Sequence, residues 1–156
     1  MHAIRRFLTG YRYRDANAAC SARRVESAGI IDFAERYGPQ WFHVDADRAA
    51  AGRWNGLITS GWLTCGIAME LAVEAALVGS EYFGSPEIVE LRWLEPVRPG
   101  DELRLRIEVL ESRPSSSGRT GVVRRQWRLL NQADRPVVQM IAMSLFDVAQ
   151  IEADCR

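Results

Sequence analysis

The chain has 156 residues, of which 47% are hydrophobic and 26% are charged, and this size and composition fit one globular domain with an ordinary core. Its 20 basic and 20 acidic residues give a formal net charge of zero, which removes the field that would attract nucleic acid or an anionic membrane. All the basic residues are arginine, so no lysine can form a Schiff base or complete a phosphate-binding P-loop. We therefore expect a small molecule or another protein as the partner.

Cysteine usage and the apolar runs indicate an intracellular protein. Cys20, Cys65 and Cys155 are odd in number and widely spaced, a pattern that suggests neither a disulfide framework nor a zinc site. The N-terminal segment has no continuous apolar run of signal-peptide length. The longest apolar stretch is broken by Glu70 and Glu74, which argues against a membrane span. We therefore expect a cytoplasmic location.

Helical periodicity dominates the first half of the chain. Residues 1–20 show no clear period and are expected to form an N-terminal arm of a single domain that spans residues 1–156. Apolar residues at helical spacing predict a helix over residues 28–37, with Ser27 as the N-cap candidate and Gly38 ending the helix.

A longer helix is predicted from residue 59 or 60 to residue 78. Its only charges, Glu70 and Glu74, are four residues apart and therefore share one face. The small residues 46–51 are compatible with a further helical turn before it. A helix this apolar must be enclosed by other elements.

The second half of the chain changes to the alternating period of half-buried strands. Strands are predicted around residues 89–93, 103–109, 121–130 and 137–148, with turns at residues 96–101 and 114–118. This order of elements indicates an α+β fold in which an antiparallel sheet wraps around the long helix. Because the edges of such a sheet must be paired or covered, we expect a homodimer or higher homo-oligomer with the sheets joined edge to edge.

Three segments carry a resemblance to a known family. Residues 33–45 look like the catalytic segment of the MaoC-like hydratases, in which a short helix is followed by Asp-Pro-x-x-x-His. Residues 56–62 are similar to the start of the family's central helix, and residues 90–101 to a family strand and turn. The resemblance covers most of residues 25–148 and implies a single hot-dog domain.

The same resemblance implies hydration of a trans-2-enoyl thioester, usually a coenzyme A ester, to the (R)-3-hydroxyacyl product, or the reverse dehydration. In this family an Asp and a His hold and deprotonate water, and His43 matches that histidine. Gly61 matches the glycine whose N–H, at the start of the central helix, stabilises charge on the thioester oxygen. The acyl thioester would be substrate and partner, with no metal or redox cofactor. Four neighbours are further substrate-binding candidates: Trp41, Phe42, Ser60 and Trp62.

One position departs from the family pattern. Gly38 stands where the family has its catalytic Asp, directly before Pro39. Glycine can neither accept a proton nor orient a water molecule. Since a general acid or base typically contributes about 10² to 10⁴ in rate, the substitution predicts impaired hydratase turnover.

The candidate residues also have structural interpretations. His43 could be a hydrogen-bonded core histidine, and Gly61 could allow close packing at the start of a helix capped by Ser60. Cys65 lies one turn beyond Gly61, where a helix N-terminus favours a reactive thiolate, but its apolar surroundings favour a buried structural cysteine. The aromatic side chains, Trp54 included, are more often part of a core than of a substrate tunnel.

Four other carboxylates are possible substitutes for the missing Asp. Asp45 lies two residues beyond the histidine, where it more readily fixes the loop, and Asp32 is expected to be solvated. Glu70 and Glu74 lie roughly 13 Å or more along the helix from Gly61, at 1.5 Å per residue, and therefore look remote from that end.

Three functions remain open on the sequence alone. The leading interpretation is an acyl-thioester hydratase or dehydratase, in which His43 activates water and Gly61 contacts the thioester oxygen. The second is a binding or structural subunit that kept the pocket and lost the chemistry. The third is an acyl-CoA thioesterase, because the same helix terminus can stabilise the oxyanion of thioester hydrolysis.

Overall fold

The computed structural model describes residues 22–147. The predicted N-terminal arm, Cys20 and Cys155 lie outside the described residues. A two-residue strand is followed by four α-helices and then by four long strands. In chain order they are β1 (Arg23–Arg24), α1 (Ser27–Tyr37), α2 (Trp41–Val44), α3 (Ala46–Ala51), α4 (Gly61–Ala72), β2 (Tyr82–Trp93), β3 (Glu102–Pro114), β4 (Thr120–Leu130) and β5 (Pro136–Asp147).

The strands form one five-stranded sheet in the order β1-β3-β4-β5-β2, and all neighbouring strands are antiparallel. The alternation in sequence is an alternation in burial, since Leu103, Leu105 and Ile107 are buried while Arg106 and Glu108 are exposed. The expected α+β architecture, with an antiparallel sheet and a central helix, is confirmed.

Helix α4 packs its small and apolar residues against the buried face of the sheet. Ala68, Leu71 and Ala72 are fully buried and share one hydrophobic cluster with Leu105 and Trp127. Burial of a leucine side chain such as Leu71 stabilises the fold by roughly 1.5–3 kcal/mol. The sheet therefore holds α4 firmly, and with it the amino-terminal end of this helix.

The helix predicted from residue 59 or 60 to residue 78 is present with two differences. Its regular α-helical part begins at Gly61 and ends at Ala72, and Val73–Leu77 continue it as a π-helical turn. Gly79, which has a φ of +73°, follows the end of this turn.

Two short elements and one cap differ from the prediction. β1 pairs Arg23 with Leu103, and two consecutive arginines carry no apolar pattern that could have predicted a strand. Trp41–Val44 form a helical turn in a stretch predicted as loop. The prediction of Ser27 as the N-cap was wrong by one residue, because Glu26 occupies the N-cap position. The Glu26 side chain makes no capping hydrogen bond.

None of the helices within residues 22–147 has the length and apolar character needed to cross a membrane.

Candidate active site

A cavity of about 430 Å³ lies at the amino-terminal end of α4. Its wall is formed by His43 of α2, by the segment that leads into α4 with the first turn of that helix, and by residues 93–97 at the end of β2 and directly after it. Small-molecule sites typically measure about 300–1,000 Å³. His43 and Gly61, which the sequence singles out for catalysis, both line this cavity.

His43 is held in one orientation by a backbone carbonyl. The residue is buried, and its Nδ1 lies 2.7 Å from the carbonyl oxygen of Ile58. Because a carbonyl oxygen can only accept, Nδ1 donates this hydrogen bond, and Nε2 of the neutral ring is then the acceptor. Phe42 packs edge-on against the imidazole, with ring centroids 4.4 Å apart. His43 therefore brings a single proton-accepting nitrogen to the cavity wall.

The first turn of α4 is not capped by a side chain. Ser60 occupies the N-cap position, but its hydroxyl makes no capping hydrogen bond. The Ser60 carbonyl accepts bonds from the amide and the hydroxyl of Thr64, at 3.0 and 3.1 Å. The first N–H groups of a helix have no partner within it, and the helix dipole adds partial positive charge there. An electronegative atom bound near Gly61 would therefore be stabilised.

Gly61 also permits close packing, as its structural interpretation requires. A Cβ at this position would lie 2.5 Å from Nε1 of Trp93. The Trp93 indole in turn meets Trp62 edge to face, with centroids 5.6 Å apart, and both indoles line the cavity. The missing side chain thus lets an apolar wall approach the start of the helix.

Only one of the four further substrate-binding candidates lies in the cavity wall. Trp62 lines the cavity, whereas Trp41, Phe42 and Ser60 are not part of its wall. The Trp41 indole instead packs against Gly52, where a Cβ would lie 2.5 Å from the ring. Phe42 acts on the cavity through the imidazole that it supports. A direct role of these three residues in substrate binding stays a prediction.

The carboxylates considered as substitutes for the missing Asp lie elsewhere. Asp45 accepts a hydrogen bond of 2.9 Å from the backbone N–H of Arg48 and caps α3, so it does fix the loop. Glu70 and Glu74 both pair with Arg23 of β1, at 2.9 and 2.8 Å. None of these three carboxylates lines the cavity.

The backbone at Gly38 does not require glycine. Its φ of 177° is extended backbone that any residue adopts. A Cβ at this position would meet no atom within 4 Å among the glycine's surroundings. A Cβ would therefore fit here without steric conflict.

Thr59 is a wall residue that the sequence did not single out. It is buried, with 6% of its surface exposed, and its amide donates a hydrogen bond of 2.8 Å to the carbonyl of Val97. Its hydroxyl oxygen, Oγ1, has no hydrogen-bond partner in the described part of the chain. Buried hydroxyl groups are nearly always paired, so this group is available to an occupant of the site.

Glu95, two residues beyond the end of β2, is another wall residue that the sequence did not single out. It lines the cavity, and it is the only acidic residue in the wall that residues 22–147 form. Its side chain is 34% exposed, and its Oε2 lies 3.2 Å from Nη2 of Arg135.

The wall at Trp54 is held by Arg98. Nη2 of Arg98 donates a hydrogen bond of 2.6 Å to the Trp54 carbonyl, and Nη1 donates one of 3.4 Å to the Asn55 carbonyl. The backbone N–H of Arg98 donates to Asp101 at 2.8 Å. This turn thereby fixes the loop before α4.

Cys65 lies near the cavity but has the properties of a structural thiol. Burial raises the pKa of the Cys65 thiol, and a hydrogen bond with Trp93 offsets only part of this effect. A raised pKa keeps the sulfur protonated near neutral pH. The structural interpretation is therefore favoured over a thiolate nucleophile.

Comparison with known proteins identifies a family that the chain matches. A family model described as "MaoC like domain" matches residues 15–128. A curated relative, the uncharacterized protein YdeM of Bacillus subtilis strain 168, is 36% identical over 91 residues, which are 58% of this chain and 64% of that protein. The match thus spans less than two thirds of the relative's length.

Two solved structures resemble the chain over most of its length. A MaoC-like dehydratase from Rhodospirillum rubrum is 35% identical, with a TM-score of 0.75 over 83% of this chain and 88% of that one. The R-hydratase PhaJ1 from Pseudomonas aeruginosa, in unliganded form, is 28% identical, with a TM-score of 0.64 over 81% of this chain and 77% of that one. The expected hot-dog fold is confirmed.

Proposed function

Because the chain belongs to the MaoC-like domain family, we propose that it hydrates a 2-enoyl thioester, such as an enoyl-CoA, or catalyses the reverse dehydration. The observation that carries this proposal is the position of His43 and Gly61 in the wall of one cavity. A proton acceptor and an uncapped helix terminus are two groups that favour addition of water to an activated double bond.

In the proposed reaction the water oxygen forms a bond to C3 of the enoyl thioester, and Nε2 of His43 takes one water proton. The electron pair of the C2–C3 double bond moves towards C1, so that negative charge develops on the thioester oxygen. The N–H at Gly61 stabilises this charge. Return of the proton to C2 restores the carbonyl and gives the 3-hydroxyacyl thioester.

A panel of substrates tests this proposal. Enoyl-CoA esters are followed by loss of the conjugated absorbance, and saturated acyl-CoA esters by release of thiol. We expect hydration without thiol release. Thiol release would favour a thioesterase, and tight acyl-CoA binding with neither reaction would favour a non-catalytic subunit.

The non-catalytic alternative follows from one observation, the absence of a carboxylate at Gly38. Gly38→Asp addresses it directly, because the extended backbone and the free space around a Cβ are compatible with a side chain there. We expect the variant to raise hydration by about tenfold or more if this carboxylate is what limits turnover. An unchanged rate in a folded variant would mean that position 38 does not limit the reaction.

We further propose that the protein is a homodimer, with acyl-CoA or a related acyl thioester as its small-molecule partner. β2 lies at one end of the sheet and pairs only with β5 among the described strands. Phe83, Ile88 and Val89 on β2 are exposed. A long apolar edge strand is a template for pairing, and pairing with its own copy gives a closed twofold dimer.

A further inference from the structure

Addition of water needs more than a base, because the attacking lone pair must point at C3. Nε2 of His43 can accept one of the two water hydrogens and therefore fixes only one direction of the molecule. A second acceptor for the other hydrogen would hold the lone pair in line, and such positioning can account for much of a catalysed rate.

Glu95 is the wall residue that can supply this second acceptor. It is the only acidic residue among the described residues that line the cavity with His43 and Gly61. Arg135 binds its Oε2 at 3.2 Å. This single pair leaves acceptor capacity on the carboxylate, and the side chain is 34% exposed, so a water molecule can reach it.

The backbone on both sides of Glu95 is fixed to neighbouring elements. The amide of Leu94 donates a hydrogen bond of 2.9 Å to the carbonyl of Val137 in β5. The carbonyl of Val97 accepts one of 2.8 Å from Thr59, two residues before Gly61. Glu95 is therefore carried by a segment that is tied to the sheet and to the start of α4.

We propose that Glu95 is a catalytic carboxylate that orients the reacting water against His43. The inference rests on the proposed function. The Glu95 carboxylate accepts a hydrogen bond from one water hydrogen, while the other proton passes to Nε2 of His43 as the oxygen bonds to C3. Glu95 is unchanged by the reaction, and the proton on His43 returns to C2.

Glu95→Gln is the direct test, and Glu90→Gln is its matched control. Glu90 lies in β2 with a side chain 32% exposed, and its Oε1 pairs with Arg92 at 2.8 Å, but it does not line the cavity. We expect Glu95→Gln to lower kcat for enoyl-CoA hydration about tenfold or more, because a neutral amide oxygen accepts the water hydrogen more weakly than a carboxylate does. The change in KM should be smaller, because the amide can still fill the space. Glu90→Gln should keep the wild-type kcat.

Arg135→Gln separates a catalytic carboxylate from a structural ion pair. Arg135→Gln breaks the ion pair between Arg135 and Glu95 but leaves the Glu95 carboxylate in place. We therefore expect Arg135→Gln to retain more activity than Glu95→Gln. Equal losses in Arg135→Gln and Glu95→Gln, or a wild-type kcat in folded Glu95→Gln, would overturn the assignment of Glu95 alone. A wild-type protein that hydrates no enoyl thioester would overturn the proposed function, and the role of Glu95 with it.

Discussion

The imidazole of His43 is oriented by a neutral carbonyl rather than by a carboxylate. The bond of 2.7 Å to Ile58 leaves Nε2 as the acceptor without placing a negative charge behind the ring. Ile58 directly precedes Thr59, and Gly61 follows two residues later. One short segment thus holds the base, contributes the unpaired hydroxyl and begins the helix.

The unpaired Thr59 hydroxyl leads to a stability prediction. In Thr59→Val a methyl group replaces a buried hydroxyl that has no partner in the described region, so the free energy of unfolding should stay the same or rise. Thr64→Val is the control, because it removes a hydroxyl that donates to Ser60 at 3.1 Å, and it should lower this free energy by about 1 kcal/mol. Urea unfolding of both variants measures the difference. Equal destabilisation would show that the Thr59 hydroxyl is paired in solution.

Cys65 gives a prediction about pH. Burial raises the pKa of its thiol in the folded state, so the stability linked to this group is fully present below the unfolded-state pKa of about 8.5 and is lost as pH rises through the folded value. In a background that carries Cys20→Ser and Cys155→Ser, alkylation of Cys65 should have a midpoint above that of a model peptide. Adding Trp93→Phe removes the hydrogen bond that lowers the pKa of the Cys65 thiol, so the alkylation midpoint should rise further. A midpoint below about 8.5 in the parent background would contradict this description of the thiol.

At the scale of elements, Gly61 joins the helix start to the end of β2. In Gly61→Ala the new Cβ would lie 2.5 Å from Nε1 of Trp93, so the indole must move, and such overpacking typically costs about 1–3 kcal/mol of unfolding free energy. Gly66 lies in the same helix, and a Cβ there would meet no atom within 4 Å. Gly66→Ala should therefore raise stability by about 0.5–1 kcal/mol. Thermal unfolding compares the two variants, and a Gly61→Ala protein as stable as Gly66→Ala would show that the indole is not packed on the helix.

The long elements could be predicted from the sequence because their residues repeat with a clear period. Helix α4 and strands β3 to β5 lie close to their predicted positions, since one face of each is buried. β2 was predicted only from residue 89 but begins at Tyr82, where register shifts around Gly84 interrupt the alternation. β1 has no apolar pattern and is defined by its pairing with β3.

Only part of the candidate site could be predicted from the sequence. His43 and Gly61 lie in segments that resemble a known motif, so they could be named without coordinates. Trp93 and Glu95 lie in residues 90–101, which also resemble a family segment, but that resemblance assigns them no role, and only the folded sheet brings them to the start of α4. No local pattern distinguishes such wall residues from their neighbours in the chain.

At the scale of the whole molecule, the exposed edge at β2 leads to a prediction about assembly. Ile88 is 53% exposed on this strand, and Ile88→Arg should dissociate the proposed dimer because charge on an edge opposes strand pairing. Val78, which is 75% exposed and precedes the strand, provides the control variant Val78→Arg. Sedimentation should give a dimer for wild type and Val78→Arg, and a monomer for Ile88→Arg. A wild-type monomer at micromolar concentration would reject the dimer.

The most direct test of the central claim is the rate of enoyl-CoA hydration in wild type and in His43→Gln. Glutamine can still donate a hydrogen bond to the Ile58 carbonyl but cannot take a proton from water. We expect the conjugated absorbance to fall in the presence of wild type. His43→Gln should lose at least about 100-fold in kcat while remaining folded. Equal rates in the two proteins would contradict the assignment of His43 as the base of this cavity.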